Sequence, residues 1–277
     1  MGLDDFLLAA LREDIGTGDV TTASCVPIDA VSTGRFIAKE SGVVCGIGVV
    51  SRVFALLDGN VKVTPSVSDG DFVKVGVVIA EIYGPSRSIL TGERTALNLL
   101  QHMSGVATRT AEAVKAVSGT GAKIVDTRKT TPGLRVLDKY AVRCGGGSNH
   151  RLNLSDGVVI KDNHIMAAGG ITNAVRLSRD NCPFTLKIEV ETETIAQVEE
   201  ALSAGADIIM LDNMDIETMT QAINTIGGRA KTEASGNMGE RDLLKVAQTG
   251  VDYISIGALT HSVKALDISL KFVKGNK

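Results

Sequence analysis

Positive charge is concentrated between residues 126 and 161. This segment contains seven basic residues and three aspartates, a net charge of +4 within a chain whose net charge is −3. The basic residues are Arg128, Lys129, Arg135, Lys139, Arg143, Arg151 and Lys161. A guanidinium group binds two oxygens at once, so clustered arginines are typical of sites for carboxylates or phosphates. The segment therefore predicts an anion-binding site.

The basic residues are not expected to share one role. Four lie at predicted strand ends or beside glycines, where a charge faces solvent or a ligand: Arg128, Lys129, Arg151 and Lys161. Lys139 and Arg143 have the i,i+4 spacing of a solvated helix face, so we expect them to be structural. In the stretch "DTRKTTPGLR" (126–135) we expect Arg135 only to support the loop.

A glycine-rich stretch, "CGGGSNHR" (144–151), lies within the same segment. Successive glycines let the backbone approach a ligand and expose N–H groups to anions, although such runs are more often flexible loops. His150 alone would more often be structural than catalytic. Its neighbour Arg151 favours a place for both residues in a binding site.

Acidic residues follow the same pattern of strand ends. In "TLKIEVE", Lys187, Glu189 and Glu191 share one strand face by their period of two, and a charged face fits a polar barrel lumen. Glu191 ends this predicted strand, and Asp212 ends the next one. Two carboxylates near several cations predict a Mg²⁺ site shared with a phosphate-bearing substrate. The alternative is that Glu191 and Asp212 only form ion pairs with Lys161 and Lys187.

Small residues end the last two predicted strands, in "SGN" (235–237) and "IGA" (256–258). Such residues before a helix start can bind an anion through backbone N–H groups, and loops after the last strands of a barrel frequently bind phosphate. The candidate residues are Ser235, Gly236, Asn237, Ile256, Gly257 and Ala258, together with Thr127 at the end of the first strand.

Alternating strands and helices must position these side chains. Six β-rich runs, "KIVDT", "GVVIK", "TLKIEVE", "DIIMLD", "AKTEASG" and "DYISIG", end in polar or small residues. The steps from Glu191 to Asp212, Ser235 and Gly257 are 21, 23 and 22 residues, which is the length of one βα unit. The pattern favours a TIM-like barrel, partial or open because six strands fall short of eight. An open doubly wound sheet is the alternative.

The first half of the chain has a different texture. Residues 31–85 combine valine-rich alternation with Gly and Asp-Gly turns, which predicts short strands. Residues 88–117 have helical periodicity, and "SG" at 104–105 is expected to separate two helices.

The bulk composition excludes several classes of protein. The slightly acidic charge and the 3% aromatic content argue against a nucleic-acid binder. The longest apolar runs are too short for a membrane span, and the acidic N-terminus is unlike a signal peptide. Four widely spaced cysteines, Cys25, Cys45, Cys144 and Cys182, are expected to be reduced. We therefore expect a cytoplasmic protein with no nucleic-acid or membrane partner.

The motifs together resemble one family, the quinolinate phosphoribosyltransferases. The resemblance runs from about residue 13 to residue 270, through "EDIGTGDVTT", "ERTALNLLQHMSGVAT", "DTRKTTPGLR", "KYAVRCGGGSNHR", "VVIKDNH", "IMLDN", "EASGN" and "YISIGALTHSVKALDISL". It implies an α/β fold with an N-terminal α/β sandwich domain (1–104, joined by the C-terminal tail 263–277). An open TIM-like α/β barrel (105–262) would follow, as in type II phosphoribosyltransferases.

The resemblance also implies an activity. Members of the family are glycosyltransferases of NAD biosynthesis that join quinolinate to phosphoribosyl pyrophosphate with Mg²⁺. The products are nicotinate mononucleotide, pyrophosphate and CO₂. The family works as a homodimer or an assembly of dimers, in which Arg94 of "ERTALN" would reach the partner's site.

Residue roles follow from the matched motifs. The resemblance implies catalytic roles for Lys129, Lys161, Glu191 and Asp212, with the last two near the ribose and the metal. Thr127, Arg128, Lys129, His150, Arg151 and Lys161 would surround the carboxylates and phosphates, and "SGN" and "IGA" would hold the 5′-phosphate. The chain departs from the common "ASGGI" at "ASGNM" (234–238), where Asn237 keeps its backbone N–H.

Two other functions stay open. A barrel lyase could use Lys129 or Lys161 as a Schiff base. A degenerate, non-enzymatic relative could bind carboxylates or phosphates without releasing pyrophosphate.

Overall fold

The computed structural model describes residues 2–273 and divides the chain into two compact units. Among the described residues, the first unit comprises 2–111, 144–146 and 263–273, and the second comprises 112–143 and 147–262. Residues 274–277 of the predicted C-terminal tail lie outside the described residues. Within 2–273, no helix is both long enough and apolar enough to cross a membrane.

The elements of the first half precede and include one long helix. They are α1 (Leu3–Ile15), α2 (Val20–Cys25), β1 (Val31–Ala38), β2 (Gly42–Val43), α3 (Ile47–Leu57), β3 (Lys62–Pro65), β4 (Phe72–Val73), β5 (Val78–Pro85) and α4 (Ser86–Ala116).

The second half alternates strands with helices, as predicted. Its elements are β6 (Lys123–Val125), α5 (Arg135–Cys144), β7 (Val158–Ile160), α6 (Asp162–Ala168), α7 (Ile171–Asn181), β8 (Ile188–Thr192), α8 (Ile195–Ser203), β9 (Ile208–Asp212), α9 (Ile216–Ile226), β10 (Lys231–Ser235), a 3₁₀ helix (Met238–Glu240), α10 (Leu243–Gln248), β11 (Tyr253–Ser255), α11 (Ala258–His261) and β12 (Ile268–Phe272).

The first unit is built on an antiparallel sheet with the order β12-β1-β5-β3. Strand β12 pairs with β1, with Ala38 opposite Ile268 and Gly34 opposite Phe272. Alternate residues of the strands point into the core, where Phe36 and Ile82 are fully buried. The valine-rich alternation of residues 31–85 thus marks a sheet with one buried face.

Helix α4 is continuous, so the predicted break at 104–105 is wrong. The Ser-Gly pair serves close packing instead. A Cβ on Gly105 would lie 2.3 Å from the carbonyl oxygen of Lys264, which no side chain could tolerate. The Ser104 hydroxyl accepts a hydrogen bond from the Cys45 amide at 2.9 Å. Glycine at position 105 lets another segment of the chain approach α4 closely. Its cost in helix propensity is only about 1 kcal/mol.

The second unit contains a parallel six-stranded sheet with the order β6-β11-β10-β9-β8-β7. From β7 to β11 each strand neighbours its successor, and the first strand, β6, neighbours the last, β11, as around a barrel. The circle is interrupted between β6 and β7, which do not pair, so the barrel is open. This order confirms the predicted open barrel and excludes the doubly wound alternative, in which the strand order reverses within the sheet.

Local sequence signals begin the barrel helices just after the strands end. The Thr194 side chain accepts a hydrogen bond from the Gln197 amide at 3.3 Å, and Asp215 accepts one from Thr218 at 2.8 Å. These N-caps satisfy amides that the first turn of a helix leaves unpaired. Only two residues therefore separate β8 from α8, and three separate β9 from α9.

Candidate active site

A cavity of about 410 Å³, hereafter the mouth cavity, lies at the carboxyl ends of the barrel strands. Nine predicted site residues line it: Thr127, Arg128, Lys129, His150, Arg151, Lys161, Glu191, Asp212 and Ser235. Val159, Met210, Glu233 and Ser255 complete the lining. Residues far apart in the sequence meet here because the carboxyl ends of parallel strands share one edge.

The segment after β6 is held so that its cations face the cavity. The Lys129 amide donates to the Thr127 hydroxyl at 3.0 Å, and the Thr260 hydroxyl donates to the Lys129 carbonyl at 2.8 Å. Arg135 donates to the Thr130 hydroxyl at 3.0 Å, so it supports this loop rather than the cavity. Arg128 keeps a buried Nε with no hydrogen-bond partner among the described residues. A buried guanidinium nitrogen without a partner is suited to an incoming anion.

Arg151 brings a second guanidinium to the same cavity. It donates to the carbonyl of Gly157 at 2.8 Å, which fixes its direction. Burial and then the charge of Arg128 lower the pKa of Arg151. The charges of Glu189 and Asp156 act in the opposite direction but do not outweigh these effects, so a bound anion would relieve the remaining repulsion between the two guanidinium groups.

The two acidic strand ends lie on neighbouring strands. Glu191 of β8 is opposite Met210 of β9, two residues before Asp212. Glu191 forms an ion pair with Lys161. Asp212 accepts a hydrogen bond from the side-chain amide of Asn213 at 2.6 Å. Lys187 pairs instead with Asp207 at 3.2 Å. The ion pair of the alternative is therefore present between Lys161 and Glu191, whereas Lys187 pairs with neither Glu191 nor Asp212.

His150 lines both the mouth cavity and a second cavity, hereafter the deeper cavity, whose lining includes Lys187, Asp207 and Lys231. Its Nε2 lies 3.0 Å from Glu189 Oε2 and 3.5 Å from Glu233 Oε2, and its Nδ1 accepts a hydrogen bond from the Arg151 amide at 2.7 Å. Burial lowers the pKa of His150, but the two carboxyls outweigh it and raise the pKa overall. The amide hydrogen bond at Nδ1 nevertheless favours the neutral ring, with its proton on Nε2. Both ring nitrogens are thus engaged within the protein.

Glu233 was not singled out from the sequence. It is 3% exposed, and burial followed by the charge of Glu189 raises its pKa to about 8. The signal was the period of two along β10, which places Glu233 on the same strand face as Ser235. The carboxyl is therefore protonated at neutral pH.

The prediction of a solvated Lys139 is wrong. Lys139 is 4% exposed and forms an ion pair with Asp126, which is 0% exposed. Asp126 also accepts hydrogen bonds from the Asn149 side chain at 2.5 Å and the His150 amide at 2.9 Å. The i,i+4 spacing with Arg143 suggested a solvated face and gave no indication of this ion pair. Val142, three residues after Lys139 on the same helix face, is buried and was the contrary signal. The pair fastens the His150 segment to the end of β6.

The glycine run 145–147 packs rather than lining the mouth cavity. A Cβ on Gly145 would lie 2.4 Å from the carbonyl oxygen of Ala107, so the backbone itself touches α4. The preceding residue, Cys144, places its thiol near the thiol of Cys45 and the carboxylate of Asp69. The two sulfur atoms and a carboxylate oxygen lie within 4.8 Å of one another. Sequence spacing gave no sign of this group.

The two small-residue loops are close to the mouth cavity but do not line it, apart from Ser235. Gly236 has φ of +94°, and its Cβ would meet Asn213 Oδ1 at 2.2 Å. Asn237 has φ of +49°, a left-handed conformation that Asn tolerates better than other non-glycine residues. A Cβ on Gly257 would lie 3.0 Å from Lys129 Cδ. Ile256 is buried, and Ala258 begins α11.

Arg94 belongs to the first unit. It lies on α4, where its side chain is exposed. The residues lining the mouth cavity all belong to the second unit.

Comparison with known proteins decides the family. Residues 19–104 match the model of the quinolinate phosphoribosyl transferase N-terminal domain, and residues 106–271 match that of the C-terminal domain. The chain belongs to the quinolinate phosphoribosyltransferase family. It is 48% identical over 265 residues to the probable nicotinate-nucleotide pyrophosphorylase [carboxylating] of Bacillus subtilis, covering 96% of this chain and 91% of the relative.

Other members of the quinolinate phosphoribosyltransferase family are similarly close. Quinolinate phosphoribosyltransferase [decarboxylating] 1b of Nicotiana tabacum is 47% identical, over 95% of this chain and 80% of the plant protein. The solved structure of NadC from Streptococcus pyogenes superposes with a TM-score of 0.92 at 46% identity, covering 98% of this chain and 97% of that one. Both the sequence and the fold of the family therefore extend over nearly the whole chain.

Proposed function

We propose that this protein transfers the phosphoribosyl group of phosphoribosyl pyrophosphate to quinolinate and releases CO₂, which forms nicotinate mononucleotide and pyrophosphate. This is the reaction of a carboxylating nicotinate-nucleotide diphosphorylase, a pentosyltransferase of NAD biosynthesis. The observation that carries the proposal is the convergence of Arg128, Lys129, Arg151 and Lys161 in the mouth cavity. The two substrates bring two carboxylates, a phosphate and a pyrophosphate, which match this charge.

The unpaired guanidinium groups would receive the carboxylates of quinolinate. Arg128 has a free buried Nε and lies near Arg151, so a dicarboxylate would satisfy both. Lys129 and Lys161 would balance the phosphates. The 5′-phosphate would lie against the backbone N–H groups of the loops 235–237 and 256–258, with Asn237 in place of the common glycine.

The chemistry requires positioning and charge stabilisation more than a nucleophile from the protein. The pyridine nitrogen attacks the anomeric carbon as pyrophosphate leaves, and the resulting pyridinium draws electrons from the bond to the 2-carboxylate. Held cations stabilise the charge that builds on the leaving group. The carboxylate of Glu191, held by Lys161, would face the ribose hydroxyls.

Glu191 and Asp212 fit a Mg²⁺ ion. They supply carboxylate oxygens from neighbouring strands to the same cavity, and Asp212 has no cation as a partner among the described residues. When bound, Mg²⁺ would neutralise the pyrophosphate as it leaves.

We also propose a cytoplasmic homodimer, or an assembly of dimers, in which Arg94 completes the partner's site. The exposure of Arg94 on α4 supports this role, because its guanidinium is available to another chain. Mixing inactive Arg94→Ala and Lys161→Ala proteins should restore part of the activity once subunits exchange. Exchange proven by labelled subunits without recovered activity would contradict a shared site.

Two alternatives are tested by the same assays. A Schiff-base lyase would need a lysine free to attack a carbonyl, whereas Lys161 is ion-paired with Glu191. Borohydride trapping with a carbonyl substrate would reveal such an enzyme. A binding protein without activity would bind quinolinate and release no pyrophosphate.

The decisive experiment measures pyrophosphate and CO₂ released from quinolinate and phosphoribosyl pyrophosphate. Equal amounts of both products are expected with Mg²⁺, and activity should be lost after chelation. Nicotinate in place of quinolinate serves as a control, because it lacks the 2-carboxylate. Binding of quinolinate without release of pyrophosphate would contradict the proposal.

A further inference from the structure

A layer of three side chains closes the bottom of the mouth cavity. Glu233 and His150 line both the mouth cavity and the deeper cavity of about 380 Å³, and Glu189 lines the deeper one. Glu189 and Glu233 are each 3% exposed. The Oε1 atom of each carboxyl is buried without a hydrogen-bond partner among the described residues. Unpartnered buried oxygens are costly, so they are found mostly where a functional role maintains them.

The side chains around Glu233 determine whether its carboxyl carries a proton. His150 directs Nε2–H at Glu189 Oε2, 3.0 Å away, so Glu189 accepts this hydrogen bond. Glu233, 3.5 Å from the same nitrogen, would repel an ionised Glu189 if it were ionised too. Burial and the charge of Glu189 raise the pKa of Glu233 and outweigh the charge of His150, and then Ser255 and Lys161, which favour its ionised form. Glu233 is therefore a carboxylic acid at the wall of the mouth cavity.

The layer is a poor metal site, although it combines one imidazole and two carboxyls. A metal on His150 Nε2 would require the ring proton on Nδ1. That nitrogen already accepts the Arg151 amide hydrogen at 2.7 Å. Two N–H groups would then point at each other, so the observed hydrogen bond favours a proton, and not a metal, between His150 and the glutamates.

The proposed reaction needs such an acid. When the bond between C2 and its carboxylate breaks, CO₂ leaves and the electron pair stays on C2. That carbon must then gain a proton before nicotinate mononucleotide is complete. The arginines of the cavity do not release protons at neutral pH, Lys161 is paired with Glu191, and the proposed function assigns Lys129 to the phosphates.

We propose that Glu233 donates the proton that replaces the lost carboxylate at C2. The inference rests on the proposed function. The O–H bond of Glu233 breaks, a C2–H bond forms, and Glu233 is left as a carboxylate. Water entering through the deeper cavity, which Glu233 also lines, returns the proton and leaves hydroxide to the solvent. A neutral acid also suits this position because it does not repel the carboxylates of quinolinate, as an ionised glutamate would.

The test separates the two chemical steps in a single turnover. Excess enzyme is mixed with quinolinate labelled in its 2-carboxylate and with phosphoribosyl pyrophosphate, and the reaction is stopped with acid at set times. In Glu233→Gln, pyrophosphate should form within about threefold of the wild-type rate. CO₂ release should slow by about 100-fold, within the range for loss of a general acid, because an unprotonated C2 recaptures CO₂. The N-ribosylated quinolinate should accumulate meanwhile.

Matched variants distinguish acid chemistry from structural damage. Glu233→Asp keeps an acid and should recover part of the CO₂ release, whereas Glu199→Gln, an exposed glutamate of α8, should behave as wild type. If Glu233→Gln does not fold, the wild type provides the test. Its CO₂ release should lag behind pyrophosphate release as the pH rises through about 8, where Glu233 loses its proton.

The outcomes are distinguishable. A folded Glu233→Gln enzyme that releases CO₂ at the wild-type rate would overturn the role of Glu233 and leave the proposed function intact. Wild-type CO₂ and pyrophosphate release that stay equal in rate from neutral pH to well above 8 would do the same. No pyrophosphate release by the wild type would instead refute the proposed function.

Discussion

The mouth cavity and the deeper cavity of the barrel are of similar size and are both rich in charge, but their cations are held differently. In the deeper cavity, Lys187 pairs with Asp207 at 3.2 Å and Lys231 pairs with Asp252 at 2.6 Å. In the mouth cavity, the described residues form no ion pair with Arg128 or Lys129. Cavity size and polarity therefore do not identify the site. Cations without partners favour the mouth cavity as the proposed site, because they gain the most from binding an anion.

The largest expected effect tests a cation that is paired and buried but lines neither cavity. Lys139→Ala would leave Asp126 as an uncompensated charge at 0% exposure, which typically costs about 3–5 kcal/mol. The free energy of unfolding in urea would measure the loss. Arg143→Ala, the exposed partner at i+4, should cost less than about 1 kcal/mol through its contact with Tyr140. Equal losses of unfolding free energy in the two variants would instead support the predicted solvated position of Lys139.

The next effect compares unpaired and paired cations by activity. Arg128→Ala should reduce turnover by about 10²–10³-fold, as for loss of a charge-stabilising donor, in a protein that stays folded. Lys187→Ala removes a cation of the deeper cavity and should leave turnover within about twofold, since Lys187 already has Asp207 as its partner. Steady-state rates with quinolinate varied would measure both. A comparable loss in Lys187→Ala would remove the distinction between the cavities.

The smallest effect concerns stability at the deeper cavity. Lys187 is 72% exposed on its side chain, so Lys187→Ala should cost less than about 1 kcal/mol. Burial raises the pKa of Asp207, but hydrogen bonds from the Ile188 amide, Arg179 and Lys187 outweigh it and lower the pKa overall. Because the pKa of Asp207 is lower in the folded state, its pairing stabilises the fold at pH values above its ordinary pKa of 3.8. This stabilisation is lost as the pH falls through the pKa of Asp207 in the folded protein. The difference between the two proteins should therefore shrink in acid; a difference that grows there would contradict this pairing.

The sequence and the structure agree where a residue type has one physical outcome. Strand ends separated by one βα unit placed Lys161, Glu191, Asp212 and Ser235 at one edge of a parallel sheet, and the mouth cavity contains all four. They disagree where the sequence allows two outcomes. A lysine on an amphipathic helix is solvated or buried against an acid, and only packing decides between the two, as for Lys139. A Ser-Gly pair ends a helix or lets another segment approach it, as at 104–105.

The sequence by itself determined the alternation of strands and helices in the second half and most of the residues at the mouth of the barrel, whereas the structure decided between the open barrel and the doubly wound sheet. The alternation and these residues follow from periodicity and from motifs that are continuous in the chain. Only the tertiary structure decided which charges are paired, because pairing depends on distances between strands that are far apart in the sequence. The protonated Glu233 is the clearest case. Its state depends on burial and on Glu189, 44 positions earlier in the chain, which no local pattern around residue 233 contains.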